Sequence, residues 1–277
     1  PPPPALKDSI LSGTISKDTT LTADRVWVLN GYVYIANNAT ITIEAGTKII
    51  SDITNKGALC IERGAKINAV GTATNPIVFT SGKPAGSKIP GDWGGIIILG
   101  KAKTNRSSTP VIEGGIDRPY GGADDLDNSG NLKYVRIEYA GFAFLPDKEI
   151  NGLTFGGVGN QTVVDYVQVA YANDDSFEWF GGTVNCTHLI AYKGLDDDFD
   201  TDNGFTGKVQ FAIGFRDSAI ADISGSNGFE SDNDPNGSTL APQTSTVFSN
   251  ITLVGPRATL TSGVNSNYKR GMHLRRN

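Results

Sequence analysis

From residue 176 to the end of the sequence, short bursts of alternating apolar and polar residues return four times. They are Ser176-Phe177-Glu178-Trp179-Phe180, Asp198-Phe199-Asp200-Thr201-Asp202, Gly228-Phe229-Glu230-Ser231-Asp232 and Gly271-Met272-His273-Leu274-Arg275. A weaker copy, Gly152-Leu153-Thr154-Phe155-Gly156, precedes them. A period of two is that of a strand with one buried face. The pattern points Phe177, Phe199, Phe229 and Met272 inward, and Glu178, Asp200, Glu230 and His273 outward. A second strand follows each of the first four copies, at Val167-Gln168-Val169, Leu189-Ile190-Ala191, Phe211-Ala212-Ile213 and Ile251-Thr252-Leu253. Phe177 and Phe199 are 22 residues apart, and so are Leu189 and Phe211. Two strand types recurring at roughly 20–25 residues, with Gly/Asn/Asp turns and no helical period, define a β-solenoid. The fold class read from this pattern is all-β: a right-handed, single-stranded parallel β-helix.

Upstream the pattern is less regular. Ile41-Thr42-Ile43-Glu44-Ala45-Gly46-Thr47-Lys48-Ile49 is echoed 18 residues later by Leu59-Cys60-Ile61-Glu62-Arg63-Gly64-Ala65-Lys66-Ile67. That echo predicts two adjacent coils, with Glu44 over Glu62, Lys48 over Lys66, and each Glu close to a Lys. The apolar run Ile96-Ile97-Ile98-Leu99 predicts a strand buried on both faces. Residues 1–30 read as a spacer and N-terminal cap, and 31–277 as the β-helix. The polar, Gly-rich stretch 101–131 reads as a loop leaving it. Because the chain stops on a strand copy, the native polypeptide is expected to continue beyond 277, or a partner to cover this end.

Composition narrows the functional classes. The net charge of −5 argues against a nucleic-acid partner. No apolar run reaches the roughly 18 residues of a membrane-spanning segment. Cys60 and Cys186 are too few for a disulfide framework or a thiolate metal site, and read as unpaired strand residues. The start at Pro1-Pro2-Pro3-Pro4 reads as a trimmed mature end or a polyproline spacer.

Four segments carry a family resemblance: Gly-Asp-Trp-Gly-Gly-Ile-Ile-Ile-Leu-Gly-Lys-Ala at 91–102, Val-Arg-Ile-Glu-Tyr-Ala-Gly at 135–141, Asp-Asp-Ser-Phe-Glu-Trp-Phe-Gly-Gly at 174–182 and Gly-Leu-Asp-Asp-Asp-Phe-Asp-Thr-Asp-Asn-Gly-Phe at 194–205. Together they resemble secreted and surface-lipoprotein parallel β-helix proteins of Bacteroidota-type bacteria, in the pectin-lyase-like superfamily. The resemblance implies the fold and export to the extracellular side or the bacterial outer-membrane surface. It leaves room for a lipid anchor upstream of residue 1 and fixes no activity. Asp8-Ser9-Ile10, Asp18-Thr19-Thr20 and Asp217-Ser218-Ala219 resemble the O-glycosylation acceptor pattern of such bacteria.

The chemistry concentrates in one acidic grid. Asp200 and Asp202 share a strand, Glu230 and Asp232 take the same positions one coil on, and Glu178 heads the first column. Strands lie about 4.8 Å apart. At that distance two carboxylates repel by about 0.9 kcal/mol in bulk water and about 3.5 kcal/mol at an effective dielectric of 20. Neutralisation can come from a hard cation, from Lys or Arg, or from protonation. Glu178, Asp200, Asp202, Glu230 and Asp232 are the candidate metal ligands. Asp174, Asp175, Asp196, Asp197, Asp198 and Asp234 supply further oxygens, and calcium fits that donor set. The alternative is an acidic face paired with Arg216, Lys208 or Arg275.

Two functions follow. One is a non-catalytic surface protein that binds glycan or protein, with calcium as a structural ion. The other is a polysaccharide-degrading enzyme using Asp200, Asp202, Glu230 and Asp232. In that enzyme the grid spacings suit glycoside hydrolysis, or Arg216 or Arg275 serves as the base of a calcium-dependent lyase. Asp200-Thr201-Asp202-Asn203-Gly204 distantly resembles the Asn-Thr-Asp-Gly motif of polygalacturonase-like hydrolases, but the Gly-His-Gly and Arg-Ile-Lys motifs are missing. That absence favours the binding protein. Tyr139, Tyr171, Tyr192 and Phe215 form a candidate aromatic ladder, and His188 and His273 lack a second ligand at metal spacing.

Overall fold

The alternation dictates strands too short to fold singly, so each must lie on its equivalent in the next coil. The computed structural model describes residues 7–106, 110–145, 148–259 and 263–276; Pro1–Pro4 lie outside them. Nineteen strands join in one sheet wound as a right-handed parallel β-helix. Each coil has three faces. On the first, Ile96–Leu99, Leu153–Val158, Phe177–Gly182, Phe199–Asp202 and Phe229–Ser231 follow one another in parallel register. The second and third faces are two halves of longer strands, such as Asn185–Tyr192 and Lys208–Phe215, bent in the middle.

The inward column is the expected one. Phe177 stacks on Phe199 at 5.7 Å between ring centroids, and Phe199 on Phe229 at 5.4 Å. All three are buried. Phe155 and Trp179 form a second inward column at 5.6 Å. Met272 departs from the expectation: it is 55 % exposed. The strand that follows it, His273–Leu274, stacks only on Phe229–Ser231 among the described strands.

The bends have a repeated backbone. Tyr134, Tyr166, His188, Phe211 and Asn250 have φ of 51°, 54°, 53°, 59° and 55°. A left-handed residue at the same place in successive coils turns the second face into the third. For a residue with a Cβ this conformation costs roughly 1–2 kcal/mol. Four of the five are aromatic or imidazole, and their rings stack with centroids 4.6, 4.2 and 5.1 Å apart, which offsets the strain.

Three expectations change. The 18-residue echo is not a coil: Ile41 lies on Ile67, and Leu59 on Val33. The echoed segments are two corners of the same kind on different faces. In each a Glu carbonyl accepts the N–H three residues on, Thr47 N at 3.1 Å and Ala65 N at 2.9 Å, beside a glycine at φ 82° or 89°. The similarity records a turn, not a register. Glu44 therefore accepts Ala23 N–H and Glu62 accepts Arg118 Nε, with no Lys involved. Residues 7–30, expected as a cap, already form coil: Lys7–Ile15 pairs in parallel with Arg25–Ile35. Among its described residues the 101–131 stretch adds no strand to the main sheet before Gly130, but it does not leave the solenoid. Ile112, Ile116 and Tyr120 pack on the outer side of the first face against Cys60, Ile97, Leu99 and Phe180. This roof explains why Ile96–Leu99 is apolar on both sides.

Candidate metal centre

The first face carries one outward column through successive coils: Cys60, Ile97, Thr154, Glu178, Asp200, Glu230 and His273. Under the roof it is apolar. Where the roof ends it turns acidic. The predicted register of Glu178, Asp200 and Glu230 is therefore found, but these groups are not on open surface. Glu178 and Glu230 are buried, and Asp200 Oδ1 is enclosed with no hydrogen-bond partner.

A second column runs two residues before Leu153, Phe177, Phe199 and Phe229: Asn151, Asp175, Asp197 and Asn227. The turn that precedes each strand holds these residues in place. Asp175 Oδ1 accepts Asp197 N–H at 2.8 Å, and Asp197 Oδ1 accepts Asn227 N–H. The two columns meet. Carboxylate oxygens of Asp175, Glu178 and Asp200 lie within 4.8 Å of one another, and so do those of Asp197, Asp200 and Glu230. These triads are the same three positions displaced by one coil, and they share Asp200. A third group, Asp174, Asp175 and Asp196, adjoins them. An asparagine closes each end: Asn151 Nδ2 donates to Glu178 Oε2, and Asn227 Nδ2 to Glu230 Oε2 at 3.2 Å.

Among the described residues the ion pairs of these columns lie at the lower end, from where the Arg275 charge also acts on Asp200. Arg275 pairs with Glu230 and, at 3.1 Å, with Asp232; Arg276 reaches Asp232 at 3.1 Å and His273 reaches Glu230 at 3.1 Å. Among the described residues no Lys or Arg nitrogen lies within 4.0 Å of Asp175, Glu178, Asp197 or Asp200. Arg216 is buried against Asp198 at 3.1 Å and against the Leu195 and Asp196 carbonyls, from where its charge partly offsets the upward push on Asp196 and Asp197. Lys208 is exposed on the second face. Asp202 lies outside both triads, its Oδ1 held by Asn203 N–H at 2.6 Å, and so does Asp232. Asp234 caps the Asn236 and Ser238 turn.

Burial sets the electrostatics. Desolvation first, then like charge, pushes Asp174, Asp175, Glu178 and Asp200 well above the usual carboxylate range. Glu113 of the roof is the strongest neighbouring charge on Glu178. Asp197 is pushed up to about 7, and Asp202 and Asp232 to about 6, again by burial first. The triads hold either protons or a cation.

The motif region and the match to a family agree. The pectate-lyase-like β-helix family model matches residues 13–277. The chain belongs to the pectate-lyase-like β-helix domain family. No curated protein and no solved structure gives a match. In this β-helix domain Asn151, Asn227 and Glu113 are the participants that the sequence reading missed. The two asparagines were detectable as the residues two before Leu153 and Phe229. Glu113 had no signal, because its place depends on how the roof folds back.

The aromatic ladder has the form of a wall. Tyr139 stacks on Tyr171 at 5.0 Å, Tyr171 meets Tyr192 edge-on, and Tyr192 stacks on Phe215 at 5.5 Å. The stacked faces of the Tyr139–Tyr171 and Tyr192–Phe215 pairs are closed to a ligand. His188 is likewise clasped between Tyr166 and Phe211, with Nδ1 2.8 Å from Asp165. Both cysteines are free and buried. Ser218 is buried, which removes one of the three candidate acceptor hydroxyls. No helix among the described residues is long and apolar enough to cross a membrane.

Proposed function

We propose that this β-helix domain is an exported, cell-surface, non-catalytic protein that binds glycan or a surface protein, with calcium as its structural ion in the acidic column. The observation that carries the reading is the repeated triad. Asp175–Glu178–Asp200 and Asp197–Asp200–Glu230 share the half-buried Asp200, are otherwise buried, and among the described residues have no ion-paired protein cation at their upper end. A hard divalent ion takes oxygen donors in a flexible shell, which suits calcium better than magnesium. The non-catalytic half is supported by the state of the basic groups. Arg216 is engaged with Asp198, and Arg275 with Glu230 and Asp232, so neither is poised as a lyase base.

Calcium that binds only the folded chain raises its thermal midpoint by mass action. The expected result is an upward shift with calcium, a downward shift with a chelator, and little effect of magnesium. An unchanged midpoint on chelation would remove the reading.

A further inference from the structure

A second chemically distinct cavity lies at the other end of the roof, over the turn that follows Ala58–Ile61. It measures about 690 Å³, and its walls carry Arg63, Lys101, Arg118, Glu62 and Asp124 beside the Gly121–Gly122 backbone. Three cations in one hollow are unexpected in a chain of net charge −5.

Two of them are fixed in advance. Arg63 Nη1 donates to Gly121 O at 3.0 Å, leaving the rest of its guanidinium for the cavity. Arg118 donates Nε to Glu62 Oε1 at 2.7 Å and lies over the Tyr34 ring at 4.3 Å. Lys101 makes no ion pair among the described residues. Its ammonium projects over Gly64, where an added Cβ would sit 3.0 Å from Nζ. A glycine at φ 89° thus makes the turn and gives the lysine room.

The charges set the sign of the ligand. Glu62 and Arg118 cancel, and Asp124 offsets one of the remaining two cations. Asp127 sits behind the wall, buried, beside the Lys101 backbone rather than in the cavity. The hollow is left with one positive charge. A carboxylate, a sulfate ester or a phosphate is drawn to it. Planar guanidinium groups match such oxyanions with paired N–H donors.

The geometry points to a binding site for an oxyanion, the carboxylate or sulfate ester of an acidic sugar, held by Lys101, Arg63 and Arg118. This names a ligand for the glycan-binding half of the function above and rests on that half only; the calcium half plays no part in it.

The test is a ligand-observed NMR titration of the chain with galactose 6-sulfate, galacturonate, galactose 6-phosphate and galactose at low salt. Galactose 6-sulfate, galacturonate and galactose 6-phosphate are expected to bind saturably at millimolar concentration and galactose not at all. Lys101→Gln, an exposed and nearly isosteric change, should weaken the charged sugars by at least about tenfold, the worth of one charge-assisted hydrogen bond. Added salt should weaken them too. A chelator should change nothing, which separates this site from the calcium column. Absence of binding by both monoanionic sugars, or equal binding to Lys101→Gln, overturns the oxyanion site. Galactose binding as well as its sulfate would overturn it while leaving glycan recognition standing.

Discussion

At the residue scale, Asp200 is the centre of the site. It belongs to both triads, and its enclosed Oδ1 has no protein partner. Asp200→Asn should therefore abolish the calcium-induced shift in thermal midpoint. Asp202→Asn, outside both triads, should leave most of it. Equal loss in the two variants would place the ion elsewhere on the grid. In chelator at neutral pH, Asp200→Asn should also raise stability, because an amide replaces a carboxyl that burial and neighbouring charge disfavour. Phe199 tests the interior. It is buried between Phe177 and Phe229, so Phe199→Ala should cost about 3–5 kcal/mol in denaturant unfolding. A cost below about 1 kcal/mol would mean that the stack relaxes around the vacancy, against the close packing of protein interiors.

Elements show what a sequence can disclose. The strand register from Leu153 to Glu230 was legible because alternation is local and a one-residue slip would turn every Phe outward. The acidic columns were legible for the same reason. The early coils were misread because Glu44-Ala45-Gly46-Thr47 and Glu62-Arg63-Gly64-Ala65 resemble each other as turns, and turn chemistry does not specify which face follows. The roof was illegible: Ile112, Ile116 and Tyr120 sit in a Gly-rich polar stretch with no strand period. So was the corner ladder, since Tyr134, Tyr166, His188 and Phe211 bear a left-handed backbone that ring-bearing residues rarely adopt. That ladder yields a test. Tyr166→Ala loses stacking on Tyr134 and His188, at about 1–3 kcal/mol. Tyr166→Gly should be the milder change by about 1 kcal/mol, because glycine accepts φ 54° without strain. Alanine proving the better tolerated in chemical denaturation would refute the strained corner.

For the whole molecule, the acidic column makes stability depend on pH, and the calcium proposed for it would couple to the same groups. Asp197 has a folded pKa of about 7, and Asp202 and Asp232 of about 6, all above the ordinary 3.8. Groups raised in this way bind protons more tightly when folded. Their stabilisation is complete below the unfolded value and is lost as pH rises through the folded one. In chelator, stability should thus fall between about pH 4 and 7. Asp92, Asp165 and Asp217 have lowered values, so their contributions vanish only below that window. His273, lowered from 6.5 chiefly by burial, opposes the trend as a single group. A cation bound to the triads would replace these protons and release them.

The decisive measurement is the thermal unfolding midpoint from pH 5 to pH 7.5, in chelator and in millimolar calcium. The account predicts a midpoint that falls with rising pH in chelator and a calcium shift that grows over the same range. A calcium shift that is absent, or constant with pH, would contradict a cation held in the Asp175–Glu178–Asp200 and Asp197–Asp200–Glu230 triads.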